Sequence, residues 1–196
     1  MMRHIALALA VVLAGGCITS SYQPSRYYTL TPVVHVEMRE QGAASLGVRP
    51  IEPAQPYKKR QMVYRERAYA LGFEPHDEWA EAPSDFVTRE LLDAIAATGR
   101  FQDVGYAHDM AAPDFIITGQ LRKFDQVRSS DAWTASCEIR LALREGAEQT
   151  LVWSHVFSAQ EPLSEKSPSA FAAAMSQALA RIIEDAAGQI ADIPTP

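Results

Sequence analysis

Between Trp133 and Arg144 the chain alternates without a break. Trp133, Ala135, Cys137, Ile139, Leu141 and Leu143 lie on one parity, and Thr134, Ser136, Glu138, Arg140, Ala142 and Arg144 on the other. Side chains of a strand point alternately to opposite faces, so this stretch is a long strand with one buried face and one wet face. At about 3.3 Å per residue it runs roughly 40 Å. Two further β-rich stretches flank it, Phe115 to Val127 and Leu151 to Ala159, and the three together read as a meander. In the first of them the apolar phase changes between Leu121 and Phe124, which predicts a bulge. Cys137 falls on the buried face.

Two helices accompany the strands. The first is predicted from about Ser84 to Thr98, opened by Pro83 or Ser84, striped by Phe86, Leu91 and Ile95, and closed at Gly99. The second runs from Pro168 to about Ile190. Ser167 can cap it, Pro168 suits its first position, and Phe171, Met175, Leu179, Ile182, Ala186 and Ile190 form one apolar stripe. Shorter β-rich pieces precede them: Arg26 to Leu30, Leu46 to Ile51, a hairpin of Gln61–Arg65 with Tyr69–Phe73 turning at Glu66-Arg67, and Val104 to Ala107. Val33 to Met38 is a further apolar stretch. The fold class is α+β, a mixed and largely antiparallel sheet with two main helices packed on it. A sheet covered on both faces would leave no lipid-sized cavity.

The 196 residues suit one such domain, and the net charge of −6 argues against nucleic acid, whose phosphates require a basic face. The N-terminus has a different character. Met1-Met2-Arg3-His4 precedes ten apolar residues, Ile5 to Ala14, and then Gly15, Gly16 and Cys17. Ten helical residues rise only about 15 Å, half of a bilayer core, so the pattern is that of a secretory signal. Leu13-Ala14-Gly15-Gly16-Cys17 resembles the bacterial lipobox, whose cysteine is acylated and becomes the first residue of the mature chain; Ala14 stands where leucine is commonest. Ile18, in place of aspartate, resembles lipoproteins sorted to the outer membrane. The reading divides the chain into a signal segment (1–16), a lipidated tether (17–25), a single α+β domain (26–191) and a short tail (192–196). Cleavage removes Arg3 as well and brings the mature side chains to −7.

Chemistry-bearing residues are scattered. His35, His76, His108 and His155 show no metal-ligand spacing, and His155 reads as a core histidine on the Leu151–Trp153–Phe157 face. His76-Asp77-Glu78 and His108-Asp109 read as two polar loops, which could form an acid–histidine site only by converging. No nucleophile elbow or phosphate loop occurs, so no catalytic residue, no metal and no cofactor other than the covalent lipid on Cys17 is expected. Two features are candidates for partner contact. Lys58, Lys59 and Arg60 lie in a run, Tyr57 to Arg67, that carries five basic residues and one acid; it is either a binding patch or the solvated edge of a hairpin. Trp79, after a polar stretch, is either a cap on the core or an exposed contact.

Several segments in order resemble the ABC-type transport auxiliary lipoproteins, the group that includes the paraquat-inducible protein C-like lipoproteins. They are Tyr27-Tyr28-Thr29-Leu30, Val48-Arg49-Pro50, Pro56-Tyr57, Arg60-Gln61-Met62-Val63-Tyr64-Arg65, Trp79-Ala80-Glu81, Leu91-Leu92, and Asp114 followed by Gly119-Gln120-Leu121 and Phe124-Asp125. The resemblance covers roughly residues 26 to 185 and departs at Ala82-Pro83, where a Pro-Leu pair is common. It implies a fold similar to the N-terminal domain of the Tol-system protein TolB. It also implies a non-catalytic, periplasm-facing lipoprotein anchored in the outer membrane. Its implied partners are a mammalian-cell-entry-type periplasmic protein and an inner-membrane ABC transporter, which together move lipid between the membranes; a homo-oligomeric ring is compatible with this role. The alternative reading is a structural or assembly lipoprotein of the envelope, and a third is a secreted enzyme using His76 or His108.

Overall fold

The computed structural model describes residues 23–146 and 148–194. Nine strands form one mixed sheet. They are β1 (Arg26–Tyr28), β2 (Ser45–Val48), β3 (Glu52–Pro53), β4 (Gln61–Arg67), β5 (Ala70–Trp79), β6 (Asp103–Tyr106), β7 (Phe115–Arg128), β8 (Trp133–Glu145) and β9 (Thr150–Pro162). Two helices, α1 (Pro83–Ala97) and α2 (Pro168–Ala191), pack side by side over one face. The expected signal segment over residues 1–16 and lipidation at Cys17 lie outside the described residues.

The spine is β7. Its one edge carries the antiparallel meander with β8 and β9, as the alternation predicts. Its other edge is lined in succession by three parallel partners: β2 at Phe115–Ile117, β3 at Gln120–Leu121 and β4 at Asp125–Val127. From β2 the sheet extends to β6, and from β4 to β5 and β1, so two branches leave opposite ends of the same strand. The register slips between Leu121 and Lys123, the bulge predicted from the change of phase. Gly119 is required just before it: a Cβ there would lie 2.5 Å from Ile51 Cδ1 and 2.7 Å from Leu141 Cδ2.

Both helices sit where the apolar stripes put them. The Ser167 side chain accepts from the Ala170 amide, and Pro168 takes the first turn. In α2 Met175, Leu179, Ala186 and Ile190 are fully buried against the sheet. Val33 to Met38 joins no strand. The stretch from Thr29 to Ala44 runs as a strap along α2, where Ser176 Oγ accepts from the Thr31 amide, Glu184 from the His35 amide and Asp192 from the Arg39 guanidinium. Val34 and Val36 pack against the core from this strap.

The hairpin is longer than its apolar pattern suggests. Its turn is at Ala68-Tyr69 in place of Glu66-Arg67, and β5 continues through Pro75, His76, Asp77 and Glu78 to Trp79. Pro75 is tolerated because the β4–β5 register jumps from Val63↔Phe73 to Gln61↔Glu78, leaving no ladder partner for its missing N–H. The expectation of a sheet covered on both faces does not hold either. The helices form one layer, and Thr118, Gln120, Arg140 and Ala142 on the opposite face look onto solvent.

Candidate functional site

The uncovered face gathers positive charge. Cross-strand partners share a face, so the pairs Thr118↔Ala142, Gln120↔Arg140 and Ile116↔Arg144 place both long arginines there with Thr118 and Gln120. Arg49 and Glu52, just beyond β2, close one side of a shallow basin of about 600 Å³. A second hollow of about 500 Å³ shares Glu52 and Gln120 with the first and is closed by Gln55 and Lys58. The basic run picked out in the sequence thus reaches the same surface as Arg49, Arg140 and Arg144, from three different chain segments.

The bulge adds to it. By slipping the register it brings both Arg122 and Lys123 to Glu138, at 3.3 and 2.7 Å. Among the described residues, Arg49 and Arg140 have no side-chain partner, and Arg144 donates only to the Gln149 carbonyl. Around the two hollows and the bulge the face therefore carries six cations (Arg49, Lys58, Arg122, Lys123, Arg140, Arg144) against two carboxylates (Glu52, Glu138), in a chain whose net charge is −6; the Arg65–Asp125 pair beside them adds no net charge.

A buried anchor holds the Lys58 segment in place. A 3-10 turn, Gln55–Tyr57, lays Tyr57 on this side of β7, where its hydroxyl donates to Asp125 Oδ2 at 3.0 Å. Arg65 reaches the same oxygen through Nε and Nη2 at 3.3 and 3.1 Å. Asp125 is 1% exposed, and its Oδ1 has no partner among the described residues. Burial, and then the Asp125 charge, push the Tyr57 phenol well above its ordinary range, so it stays a neutral donor. Lys58 and Lys59 follow directly, both exposed. Arg60 is more constrained: it donates to the Ala80 carbonyl, lies 3.7 Å from Glu78 and sits over the Tyr27 ring at 5.6 Å.

Trp79 is not part of any exposed surface. It is 2% exposed, on the helix side, with ring centroids 5.4 Å from both Phe124 and Phe171. The expectation of a partner contact at Trp79 does not hold: the indole is the keystone between β7 and α2, and a partner cannot reach it. His155 is corrected in the other direction. It lies on the predicted face with Trp153 and Phe157, whereas the register slip at Leu143/Arg144 turns Leu151 to the opposite face; α2 meets β9 at Phe157 to Glu161, where Arg181 donates to the Gln160 carbonyl, and the histidine before that contact is exposed.

The enzymatic alternative finds no constellation. His76-Asp77-Glu78 belongs to β5 and not to a loop, on the branch carried by β4; His108 follows β6 on the other branch and pairs with its neighbour Asp109. Among the described residues no group of three or more His, Cys, Asp or Glu comes together as a metal site would require. Cys137 is fully buried, and desolvation pushes its thiol far above the range in which a thiolate attacks.

The basic basin was not found in the sequence, because its members are far apart along the chain. One signal was present: Arg140 and Arg144 stand on the wet parity of the alternating strand, with Ala142 between them.

Known proteins supply the context. The chain is similar in structure to protein XCC0632 from Xanthomonas campestris, with a TM-score of 0.74 at 20% identity, covering 85% of this chain and 94% of that one. It is also similar to the hypothetical protein CT253 from Chlamydia trachomatis, with a TM-score of 0.52 at 8% identity over 76% of this chain and 96% of that one. At these identities the likeness is one of fold. No curated protein matches the sequence. Residues 28–187 match the ABC-type transport auxiliary lipoprotein component across nearly the whole sheet and both helices, and the chain belongs to that family.

Proposed function

We propose that this chain is a non-catalytic auxiliary subunit of an ABC transport system of the mammalian-cell-entry type. It stands on the periplasmic side of the outer membrane and docks the periplasmic partner through which lipid passes between membranes. The observation that carries this reading is the family match over residues 28–187, which spans everything from β1 into α2. Two features support it. The lipobox-like Leu13-Ala14-Gly15-Gly16-Cys17 supplies an anchor, and two or three acyl chains hold a protein on a bilayer far more firmly than the marginal grip of one. A rigid two-layer domain with an open, charged face is also built for contact more than for turnover.

The test uses the full-length protein isolated in mild detergent from its own cells after brief cross-linking. The reading expects an N-terminus at an acylated Cys17 and co-isolation of a mammalian-cell-entry-type protein with the inner-membrane transporter. A protein recovered alone, or one that keeps residues 1–16 and fractionates with the cytosol, contradicts it.

A further inference from the structure

We propose that the sheet face opposite the helices lies flat on an anionic bilayer surface; the inference rests on the anchored reading above and adds an orientation to it. Three independent observations meet on this face. The first is charge: around the two hollows and the bulge stand six cations against two carboxylates in an acidic chain, with Arg49 and Arg140 unpaired among the described residues. A Lys or Arg held near an anionic lipid surface is attracted by it, and the attraction fades within a Debye length, so a flat face brings more cations into range than a tip does.

The second is apolar. At the β4–β5 hairpin Leu71 pairs with Arg65 and Phe73 with Val63, which puts both side chains on the face of Asp125, away from the helices. Leu71 is 37% exposed, Phe73 is 43% exposed, and Tyr69 stands fully exposed at the turn. Apolar and aromatic side chains among arginines suit the boundary between headgroups and acyl chains, where an acidic protein surface would ask only for the cations.

The third is the point at which the tether arrives. Nine residues, 17–25, separate the expected lipid from β1, a reach of about 30 Å when extended. The chain enters the sheet at Arg26, and the next residue, Tyr27, is exposed and lies under Arg60. The tether therefore joins the domain beside the Lys58–Arg60 segment, and its length allows the face to settle on the membrane that holds the lipid.

The experiment uses the mature, acylated protein in vesicles of phosphatidylcholine alone or with about one-third phosphatidylglycerol. Gln120→Cys places a thiol at the centre of the face, and Gln177→Cys places one on the exposed side of α2; Cys137 is sealed in the core and Cys17 is consumed by the lipid. A water-soluble maleimide is expected to label Gln120→Cys at least fivefold more slowly on the anionic vesicles than on the neutral ones. Gln177→Cys is expected to label equally on both. Arg49→Glu with Arg140→Glu, its fold checked by circular dichroism, is expected to abolish the protection, and each cation lost is worth about fivefold in partitioning. Flotation of the same samples separates the two readings. Protein that floats while Gln120→Cys labels equally on both lipids overturns the face and leaves the anchor standing; protein that does not float overturns both. Protection that requires an added periplasmic protein, whatever the lipid, assigns the face to a protein partner and also overturns the proposal.

Discussion

The two faces of one strand, β8, have opposite fates. On one parity Cys137, Ile139, Leu141 and Leu143 are sealed beneath the helices; on the other Arg140, Ala142 and Arg144 border open water. The first set is interchangeable with any well-packed apolar set of the same volume, because its role is to exclude water. The second contributes almost nothing to folding and is free to carry charge. The comparison teaches that along β8 stability and contact are divided between the two parities, so substitutions on one should leave the other's property untouched.

The largest break comes from placing a charge in the helix-covered face. Leu179 is fully buried in α2, and Leu179→Asp leaves an unpaired carboxylate there at a cost upward of about 4 kcal/mol. A chemical-denaturation curve should show no cooperative transition. Next is Trp79→Ala, which empties the space between Phe124 and Phe171; a loss of about 3–5 kcal/mol in urea unfolding is expected. A loss under about 1 kcal/mol would mean that the indole is not the keystone described.

Tyr57→Phe is intermediate, because it removes one of the donors to a buried carboxylate; about 1–3 kcal/mol should be lost. Its pH dependence sharpens the point. The folded-state pKa of Tyr57 is raised, so its contribution is fully present below the unfolded value near 10 and is lost as pH rises above it. Stability of the parent protein should fall above about pH 10 more steeply than that of Tyr57→Phe, measured by urea midpoints along an alkaline series. The smallest stability effect belongs to the open face. Arg49→Glu and Arg140→Glu should each stay within about 0.5 kcal/mol of the parent.

Much of this division was legible in the residues. Strict alternation located β8 and its buried parity, the change of phase located the bulge in β7, and periodicity with Ser167-Pro168 located α2 to within a residue. These signals are local, and local periodicity is what a strand or helix writes into a chain. What escaped is long-range. The parallel docking of β2, β3 and β4 along one edge of β7 pairs residues 62 to 69 positions apart, as in Leu46 with Phe115. The extension of β5 through Glu74-Pro75-His76 was hidden because polar residues and a proline read as a loop; only the register jump makes room for them. The same polar neighbours hide the burial of Trp79. The histidine at 155 has the right parity for burial but lies beyond the end of the helix cover, which no pattern within β9 can reveal. The basic basin depends on all of these pairings and so became visible only with the sheet assembled.

The division of labour between the faces is tested most directly by measuring the thermal midpoint and the complementation of a deletion strain on the same Arg49→Glu, Arg140→Glu protein. An unchanged midpoint with complementation lost is expected. Full complementation, or a midpoint that falls together with it, would contradict the claim that the uncovered face works apart from the fold.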